Sequence, residues 1–418
     1  MTVFDRLETP ACSCDDGHGA LPPVPVALEA ALSCVTALRP ARSVPLSRAL
    51  GRVLAADVRA AVAMPRFDTS GMDGYALRHS DLVGGGTLPL DGIAAAGGRP
   101  ARLRRGTAMR IYTGAPVPDG ADTVVMQEAV RATPGGIDVR VAPLPGANIR
   151  RHGEDLTRGA LVVPAGTCLG PRDIAACAAA GAGAVTVAPV PRIGLLLTGD
   201  ELRKAGDPLG DGGIWDINTP MLRAALAEAG CTIGEVVQLP DTRSALEGAL
   251  ASLSGAVDMV ITSGGASVGD RDHVQPALRA LGAEIALAGA AIKPGKPVTA
   301  ARLGATPILC LPGNPVSAFV IWQVFGRAMV ARLQGREGMH APLRHVRLAQ
   351  ALTHKPGRCE YRPARIAGHD ADGVEVACCP AQTHSARVTQ IREADGLILL
   401  PGDCDALAAG AMAEFLSF

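Results

Sequence analysis

Apolar runs alternate with helix-like polar patterns through the middle of the chain. "RIGLLLTGDEL" is typical of a buried strand that enters a loop, and "NTPMLRAALAEAG" of a helix capped by Thr219 with Pro220 in its first turn. "SALEGALASL" has capping-box spacing from Ser244 to Glu247. Further strands and helices follow in "VDMVITSGG", "DHVQPALRALG" and "TPILCLPGNP". Strands that alternate with helices predict a parallel, doubly wound sheet over residues 190–336.

The rest of the chain has other patterns. Residues 25–56 have apolar positions at helical spacing in "VPVALEAALSCVTAL" and again in "SRALGRVLAADV". Residues 63–151 are split by Gly and Pro into short segments, which predicts a β-rich domain. "GALVVPAGTCLGPRDIAACAAAGAGAVTV" predicts a strand and a Pro-started helix, and the short strands of residues 337–418 predict a compact β-barrel or sandwich.

Length and charge narrow the possible functions. A chain of 418 residues is too long for one ordinary core, so two to four domains are expected. The formal net charge is zero, which argues against a general nucleic-acid binder, because such proteins carry a basic excess. An anionic ligand would have to be held by a few placed cations and backbone amides.

Cysteine usage and the termini indicate a cytoplasmic protein without a membrane span. The 11 cysteines include no CxxC pair, so reduced thiols are the simpler interpretation than disulfides or zinc. The N-terminus does not resemble a signal peptide, and the most apolar stretch, Val316 to Leu333, contains Gln323, Arg327 and Arg332. "CSCDDGHG" near the N-terminus fits a flexible tail, residues 1–22, better than a metal site.

Three predicted strands end in unusual loops, and these loops should share one crevice. Ligands of open α/β sheets bind outside the carboxyl ends of the strands. Glycines allow close approach of the backbone to an anion, so "TSGGASVGD" fits a phosphate cradle, although such a loop alone commonly only turns the chain. The loop residues that we assign to cofactor binding are Thr198, Gly199, Ser263, Gly264, Gly265, Ser267, Pro312, Gly313, Asn314 and Pro315.

Charged residues beside these loops suggest a phosphate and a metal. "IKPGKP" holds Lys293 and Lys296 on a stiff backbone, where they could pair with phosphate or be solvated on a surface turn. Carboxylates near phosphate imply Mg²⁺, although Asp270 and Asp272 could instead cap the following helix. "PRFDTSGMDGYALR" is polar and turn-rich, and its residues alone favour a structural turn.

Seven motifs in order resemble the molybdopterin molybdenumtransferase family, which comprises the bacterial MoeA proteins and the C-terminal domain of gephyrin. They are "FDTSGMDGYA", "TGAPVPDGADTVVMQE", "HGEDLTRG", "TGDEL", "TSGGASVGD", "IKPGKP" and "LPGNPVS". The resemblance covers residues 25 to 418 and implies an elongated homodimer of four-domain subunits. It implies a discontinuous linker and dimerisation domain of residues 23–62 and 152–189, and a C-terminal β-barrel.

The resemblance also implies an activity, which is insertion of molybdenum into adenylated molybdopterin. Molybdate and Mg²⁺ would be used and AMP released. The implied catalytic residues are Asp73, Thr113, Asp155, Glu201, Asp241, Lys293 and Lys296, of which the first three would reach the cleft across the dimer interface. The implied metal ligands are Asp200, Glu201 and Asp272.

Two alternative functions make different demands on the sequence. A molybdopterin adenylyltransferase would share the α/β domain but lack the first 190 residues and the last barrel. A non-catalytic cofactor-binding scaffold would not need the acidic set. For the transferase, the expected partners are a second copy of the chain, the adenylyltransferase and downstream cofactor-processing or molybdoenzyme proteins, with no nucleic acid and no membrane.

The chain departs from the family pattern at several positions. Gly289 stands where some members have a basic residue, Pro363 where an arginine is frequent, and His384 where a serine is common. Thr69 and Gly71 replace the frequent Asn and Ala. These differences bear on the anion site and on a preference between molybdate and tungstate.

Overall fold

A computed structural model of the chain describes residues 21–265, 273–336, 343–380 and 386–418. The residues Ser267, Asp270, Asp272 and His384, to which the sequence drew attention, lie outside the described residues. The described α-helices are Val24–Ser33, Pro171–Ala179, Asn218–Glu228, Arg243–Leu253, Val274–Ala280, Pro315–Ile321, Arg327–Leu333 and Val388–Arg392. A π-helical segment, Trp322–Gly326, joins the sixth of these helices to the seventh.

The central region contains a mixed sheet. Its six described strands have the order Thr232–Leu239, Arg192–Thr198, Met259–Ser263, Thr306–Leu311, Thr299–Leu303 and Glu284–Ala288. The first four run in parallel, whereas Thr299–Leu303 is antiparallel to both of its neighbours, so Glu284–Ala288 runs in the same direction as the first four. The predicted parallel sheet is therefore wrong near one edge. The two-residue connection between Leu303 and Thr306 explains this, because parallel strands need a long crossover.

Apolar residues cover both faces of this sheet. Leu195 and Leu197 point into one buried cluster, whereas Leu196 points into another. This alternation follows from the two-residue period of a strand, and each cluster includes side chains from flanking helices. The predicted doubly wound α/β architecture is confirmed.

The register brings three strand ends to one level. Ser263 lies opposite Leu197 on one side and opposite Leu311 on the other. The loops that follow these strands therefore start side by side at the carboxyl edge of the sheet.

Two predicted helix caps are wrong, because the capping side chains lie three and two residues earlier along the chain. In the helix Asn218–Glu228, Asp216 Oδ1 accepts a hydrogen bond from the backbone N–H of Thr219 at 3.0 Å. In the helix Arg243–Leu253, Thr242 is the cap and its hydroxyl accepts from the backbone N–H of Ala245. In both cases an earlier polar residue competes successfully for the free amides of the first turn.

The N-terminal region divides its packing between two cores. The helix Val24–Ser33 buries Ala27 and Leu32 in the core of the central sheet. The second helical pattern is wrong, because only a 3-10 turn, Leu46–Arg48, forms there. Gly51, with φ of 71°, ends that turn, and its backbone N–H bonds to the carbonyl of Leu169.

Two sequence-distant segments form a small joint unit. Strand Arg42–Pro45 pairs with Ala184–Val187, and Val58–Arg59 pairs with Leu161–Val163. Apolar residues from both segments, with those of the helix Pro171–Ala179, share one buried cluster. The domain limits that the sequence suggested remain predictions.

The two β-rich regions have different forms. Residues 69–150 include a four-stranded sheet in the order Leu90–Ala94, Ala108–Ile111, Gly74–Leu77 and Thr123–Met126, a hairpin of Val130–Thr133 and Gly136–Val139, and a short pair of Thr69–Ser70 and Ile149–Arg150. In the C-terminal region five described strands close into a ring, which confirms the barrel. They are, around the ring, Cys359–His369, Glu375–Cys378, Arg344–Leu348, Met412–Ser417 and Gly396–Leu400.

Short pairs complete the strands. They are Leu202–Arg203 with Ile214–Trp215, Leu352–Thr353 with Ala406–Leu407, and Ile292–Lys293, which joins the barrel strand that begins at Cys359.

One helical stretch among the described residues, Pro315–Leu333, has the length and apolar composition of a membrane span, so the expectation that no stretch is long and apolar enough is wrong. Of its most apolar window, 72% is buried inside the protein. Its buried side chains, such as Trp322 and Phe325, belong to the main core of the central sheet.

Candidate functional site

A cleft of about 1070 Å³ opens at the carboxyl edge of the central sheet. The three loops line it together, and the barrel contributes Arg358, Glu360, Tyr361 and Pro363 to its wall. The predicted residues that line the cleft are Thr198, Gly199, Glu201, Asp241, Ser263, Gly264, Gly265, Lys293, Lys296, Pro312, Gly313, Asn314 and Pro315.

The loop after Ser263 lies directly against the end of the neighbouring strand. Gly264 has φ of 94°, and a Cβ there would lie 2.5 Å from the backbone oxygen of Thr198. Only glycine allows this approach. The buried hydroxyl of Thr198 has no hydrogen-bond partner among the described residues, so a polar donor or acceptor at the cleft floor is available to a ligand.

Asn218 ties two of the loops together, and sequence reasoning missed it. Its Nδ2 donates to Ser263 Oγ at 2.8 Å and to the carbonyl of Gly313 at 2.7 Å. The side chain is buried and its Oδ1 has no hydrogen-bond partner among the described residues. The signal was the Asn that opens the helix "NTPMLRAALAEAG", where an inward position needs a bonding partner.

The two predicted lysines differ in their surroundings. Lys293 Nζ lies 3.0 Å from Glu360 Oε2 and keeps 43% of its side chain exposed. Lys296 is exposed on the same cleft wall, and the described residues offer it no ion pair. Glu360 was not predicted, because it is distant in sequence and belongs to the barrel. Its partner lysine is therefore held from two regions of the chain.

The acidic residues are only partly gathered in the cleft. Glu201 and Asp241 line it, whereas Asp200 Oδ1 accepts a hydrogen bond from the backbone N–H of Asp241 at 3.3 Å and does not line it. Within the described ranges no three His, Cys, Asp or Glu side chains form a metal cluster. Two cleft carboxylates together with phosphate oxygens and waters nevertheless make a donor set that Mg²⁺ accepts. The residues present fit that ion.

The three residues predicted from the β-rich part lie outside the cleft of their own chain. Asp73 Oδ1 accepts hydrogen bonds from the backbone N–H and the hydroxyl of Thr113, at 2.7 and 2.8 Å. These two bonds hold the pKa of Asp73 below its usual value. Asp155 is exposed, and its backbone N–H bonds to the carbonyl of Met64. None of the three lines the cleft.

Four of the five positions that depart from the family pattern lie within the described residues, and Gly289 and Pro363 are two of them. Gly289 has φ of 100°, and a Cβ there would lie 3.0 Å from Leu21 Cδ2, so the backbone at this position suits glycine. Pro363 is buried in a barrel strand opposite Leu397 and lines the cleft. The arginine that is frequent at this position would have supplied a cation to that wall.

Comparisons with known proteins agree along most of the chain. Residues 23–181 match the family described as "MoeA N-terminal region (domain I and II)", residues 194–332 match "Probable molybdopterin binding domain", and residues 345–418 match "MoeA C-terminal region (domain IV)". The chain is 36% identical to "Molybdopterin molybdenumtransferase 2" of Mycobacterium tuberculosis, over 89% of this chain and 94% of that protein.

Further relatives extend this similarity. The chain is 37% identical to "Molybdopterin molybdenumtransferase" of Haemophilus influenzae, over 71% of this chain and 74% of that protein. Among solved structures, the molybdopterin biosynthesis moeA protein of Pyrococcus horikoshii OT3 superposes with a TM-score of 0.81 at 26% identity, covering 95% of this chain and 100% of that one.

Proposed function

Because the chain belongs to the molybdopterin molybdenumtransferase family, we propose that it inserts molybdenum from molybdate into molybdopterin during molybdenum cofactor biosynthesis. The observation that carries the proposal is that the three strand-end loops and two lysines line the same cleft. Glycine loops allow a phosphate to approach the backbone, and lysines balance its charge. An anionic, phosphate-bearing substrate fits these groups.

We propose further that the molybdopterin enters as its adenylate and that AMP leaves. Lys293 and Lys296 would neutralise the negative charge that develops on the AMP phosphate as the phosphoanhydride bond breaks. The helical run that begins at Pro315 presents its first turn to the cleft, where its free amides favour an anion.

The cleft carboxylates suit a divalent ion. Glu201 and Asp241 would hold Mg²⁺, which supplies positive charge to phosphate oxygens when it is bound. Without such an ion, these carboxylates would repel an anionic substrate. Asp200 would act on Asp241 through the backbone hydrogen bond rather than through the ligand.

The proposal includes a homodimer with shared sites. Asp73 and Asp155 are exposed, charged and remote from the cleft of their own chain, so they could serve the cleft of a partner subunit. Mixing Asp73→Ala and Glu201→Ala subunits should restore part of the activity, because one cleft of each mixed dimer is then intact. Mixed dimers that form and stay inactive would contradict shared sites.

The direct experiment incubates the purified protein with adenylated molybdopterin, molybdate and Mg²⁺, and measures AMP by chromatography and cofactor by reconstitution of a molybdoenzyme. Both products should appear together, and EDTA should suppress them. Cofactor formation without AMP would refute the adenylate as substrate. Adenylate made from molybdopterin and ATP would favour the adenylyltransferase alternative, and binding without any turnover would favour a scaffold.

A further inference from the structure

A buried carboxylate stands directly behind one of the cleft lysines. Glu360 is 1% exposed and lies in the barrel strand that begins at Cys359. Its Oε2 accepts a hydrogen bond from Lys293 Nζ at 3.0 Å, and its Oε1 accepts from Arg362 Nη2 at 3.0 Å and Nε at 3.2 Å. Isolated charges are rarely buried this deeply, and this one is satisfied by two cations on opposite oxygens.

The contact joins two regions of the chain through backbone and side chain together. The short strand Ile292–Lys293 pairs in parallel with the start of the barrel strand, with Lys293 in register with Glu360. The barrel strand therefore holds Lys293 twice, through the backbone pairing and through the carboxylate of Glu360. Any shift between these regions would move the ammonium group relative to the cleft.

The two cations have different tasks. The side chain of Arg362 is 8% exposed and also donates to the carbonyl of Thr353, so it stays inside the barrel. Lys293, with 43% of its side chain exposed, points a charge at the cleft. The carboxylate and the two cations sum to one positive charge. Arg362 alone can neutralise Glu360, so the lysine is not needed for that purpose.

Glu360 stays ionised at neutral pH. Burial alone would raise its pKa, but the hydrogen bond from Lys293 and the nearby charge of Arg362 outweigh this and lower the pKa. The side chain of His354 is fully buried, and its Nδ1 lies 3.9 Å from Oε2, the oxygen of Glu360 that also accepts from Lys293. This imidazole limits the space into which the carboxylate could turn.

We propose that Glu360 is a positioning residue, which holds the Lys293 ammonium at one wall of the cleft so that its remaining two N–H donors face a phosphate oxygen. The part that Lys293 plays toward phosphate rests on the proposed function. The hold on Lys293 does not, because it is a property of the protein without substrate. Two experiments separate these statements.

The first experiment measures amine reactivity in the protein without ligand. Trace labelling with acetic anhydride followed by mass spectrometry gives the acetylation rate of Lys293 relative to that of Lys296, to which the described residues offer no ion pair. Glu360→Gln should raise this ratio about 3- to 10-fold, because Lys293 Nζ loses the charge-assisted hydrogen bond that engages it in the protein without ligand. An unchanged ratio would overturn the proposal.

The variant leaves Arg362 without its carboxylate, so folding is checked by thermal melting and circular dichroism. If Glu360→Gln does not fold, the double variant Glu360→Gln/Arg362→Met replaces it, since it removes the buried cation as well. The same rise in the Lys293 labelling ratio is expected there. A folded double variant with the wild-type ratio of Lys293 to Lys296 acetylation would contradict the proposal that Glu360 holds Lys293.

The second experiment is a double-mutant cycle on AMP release. Glu360→Gln and Lys293→Ala should each lower kcat/KM about tenfold, and the pair together should be little worse than either, because both remove the same positioned ammonium. The control pairs Glu360→Gln with Lys296→Ala. In that double variant the fold-losses in kcat/KM of the two single variants should multiply, because the two changes are independent. Fully multiplicative losses for Lys293 would overturn the positioning role.

The two experiments fail differently. A wild-type protein without turnover would refute the proposed function while the labelling ratio still tests the hold on Lys293. Normal turnover with an unchanged labelling ratio would refute the positioning role of Glu360 and leave the proposed function intact.

Discussion

Asn218 should contribute more to the stability of the central domain than any property of its sequence neighbourhood suggests. Asn218→Ala removes two hydrogen bonds of 2.8 and 2.7 Å that connect the loops after Ser263 and Pro312. A net value of about 1 kcal/mol for each buried hydrogen bond gives a loss of about 2 kcal/mol. With a urea dependence of about 2 kcal/mol per molar, the unfolding midpoint should fall by about 1 M.

Tryptophan fluorescence reports this transition selectively. The chain has two tryptophans, Trp215 and Trp322, and both lie in the central domain with Asn218. Trp322 is 1% exposed, so its emission should shift to longer wavelength when that domain unfolds. Urea titrations that follow this shift measure the domain in the intact chain.

The matched control is Asn314→Ala. Asn314 lines the same cleft and is exposed, and no side-chain hydrogen bond caps the helix from it. Its replacement should change the stability by no more than about 0.5 kcal/mol. If both alanine variants shift the midpoint equally, Asn218 does not join the loops in the way that its two bonds indicate.

Three further predictions concern a glycine, a tryptophan and a carboxylate. Gly264→Ala should lower the urea midpoint much more than Gly255→Ala does. Both glycines have positive φ, but only at Gly264 would a Cβ approach a backbone atom, at 2.5 Å. Equal shifts of the midpoint would exclude the close approach. Titration with AMP should change the fluorescence of Trp215, which lines the cleft and is 50% exposed, and a change that survives Trp215→Phe would place AMP elsewhere. The pKa of Asp370 is lowered, mainly by the hydrogen bond that its carboxylate accepts from the backbone N–H of Val374. Asp370→Asn should therefore reduce thermal stability at pH 7, and this difference from the wild type should vanish as the pH falls through the lowered pKa. A difference in stability that persists in acid would contradict this.

The sequence by itself determined the order of the regions and the chemistry of the loops. Alternating apolar runs predicted the doubly wound sheet, and the carboxyl-edge rule assigned the loops after Thr198, Ser263 and Leu311 to one crevice, where the structure has its cleft. These inferences hold because strand periodicity and glycine conformations are local properties. The prediction of the exact helix caps was wrong, because neighbouring polar residues compete for the same amides.

Only the tertiary structure decided which distant residues meet. The antiparallel strand near one edge of the sheet depends on a two-residue connection, and the ion pair of Lys293 with Glu360 depends on the barrel lying against the central sheet. Asn218 gains its importance from two loops 45 and 95 residues away along the chain. Such contacts leave no periodic trace in a single sequence, because burial and partnership arise from how the elements pack rather than from the order of residues within them.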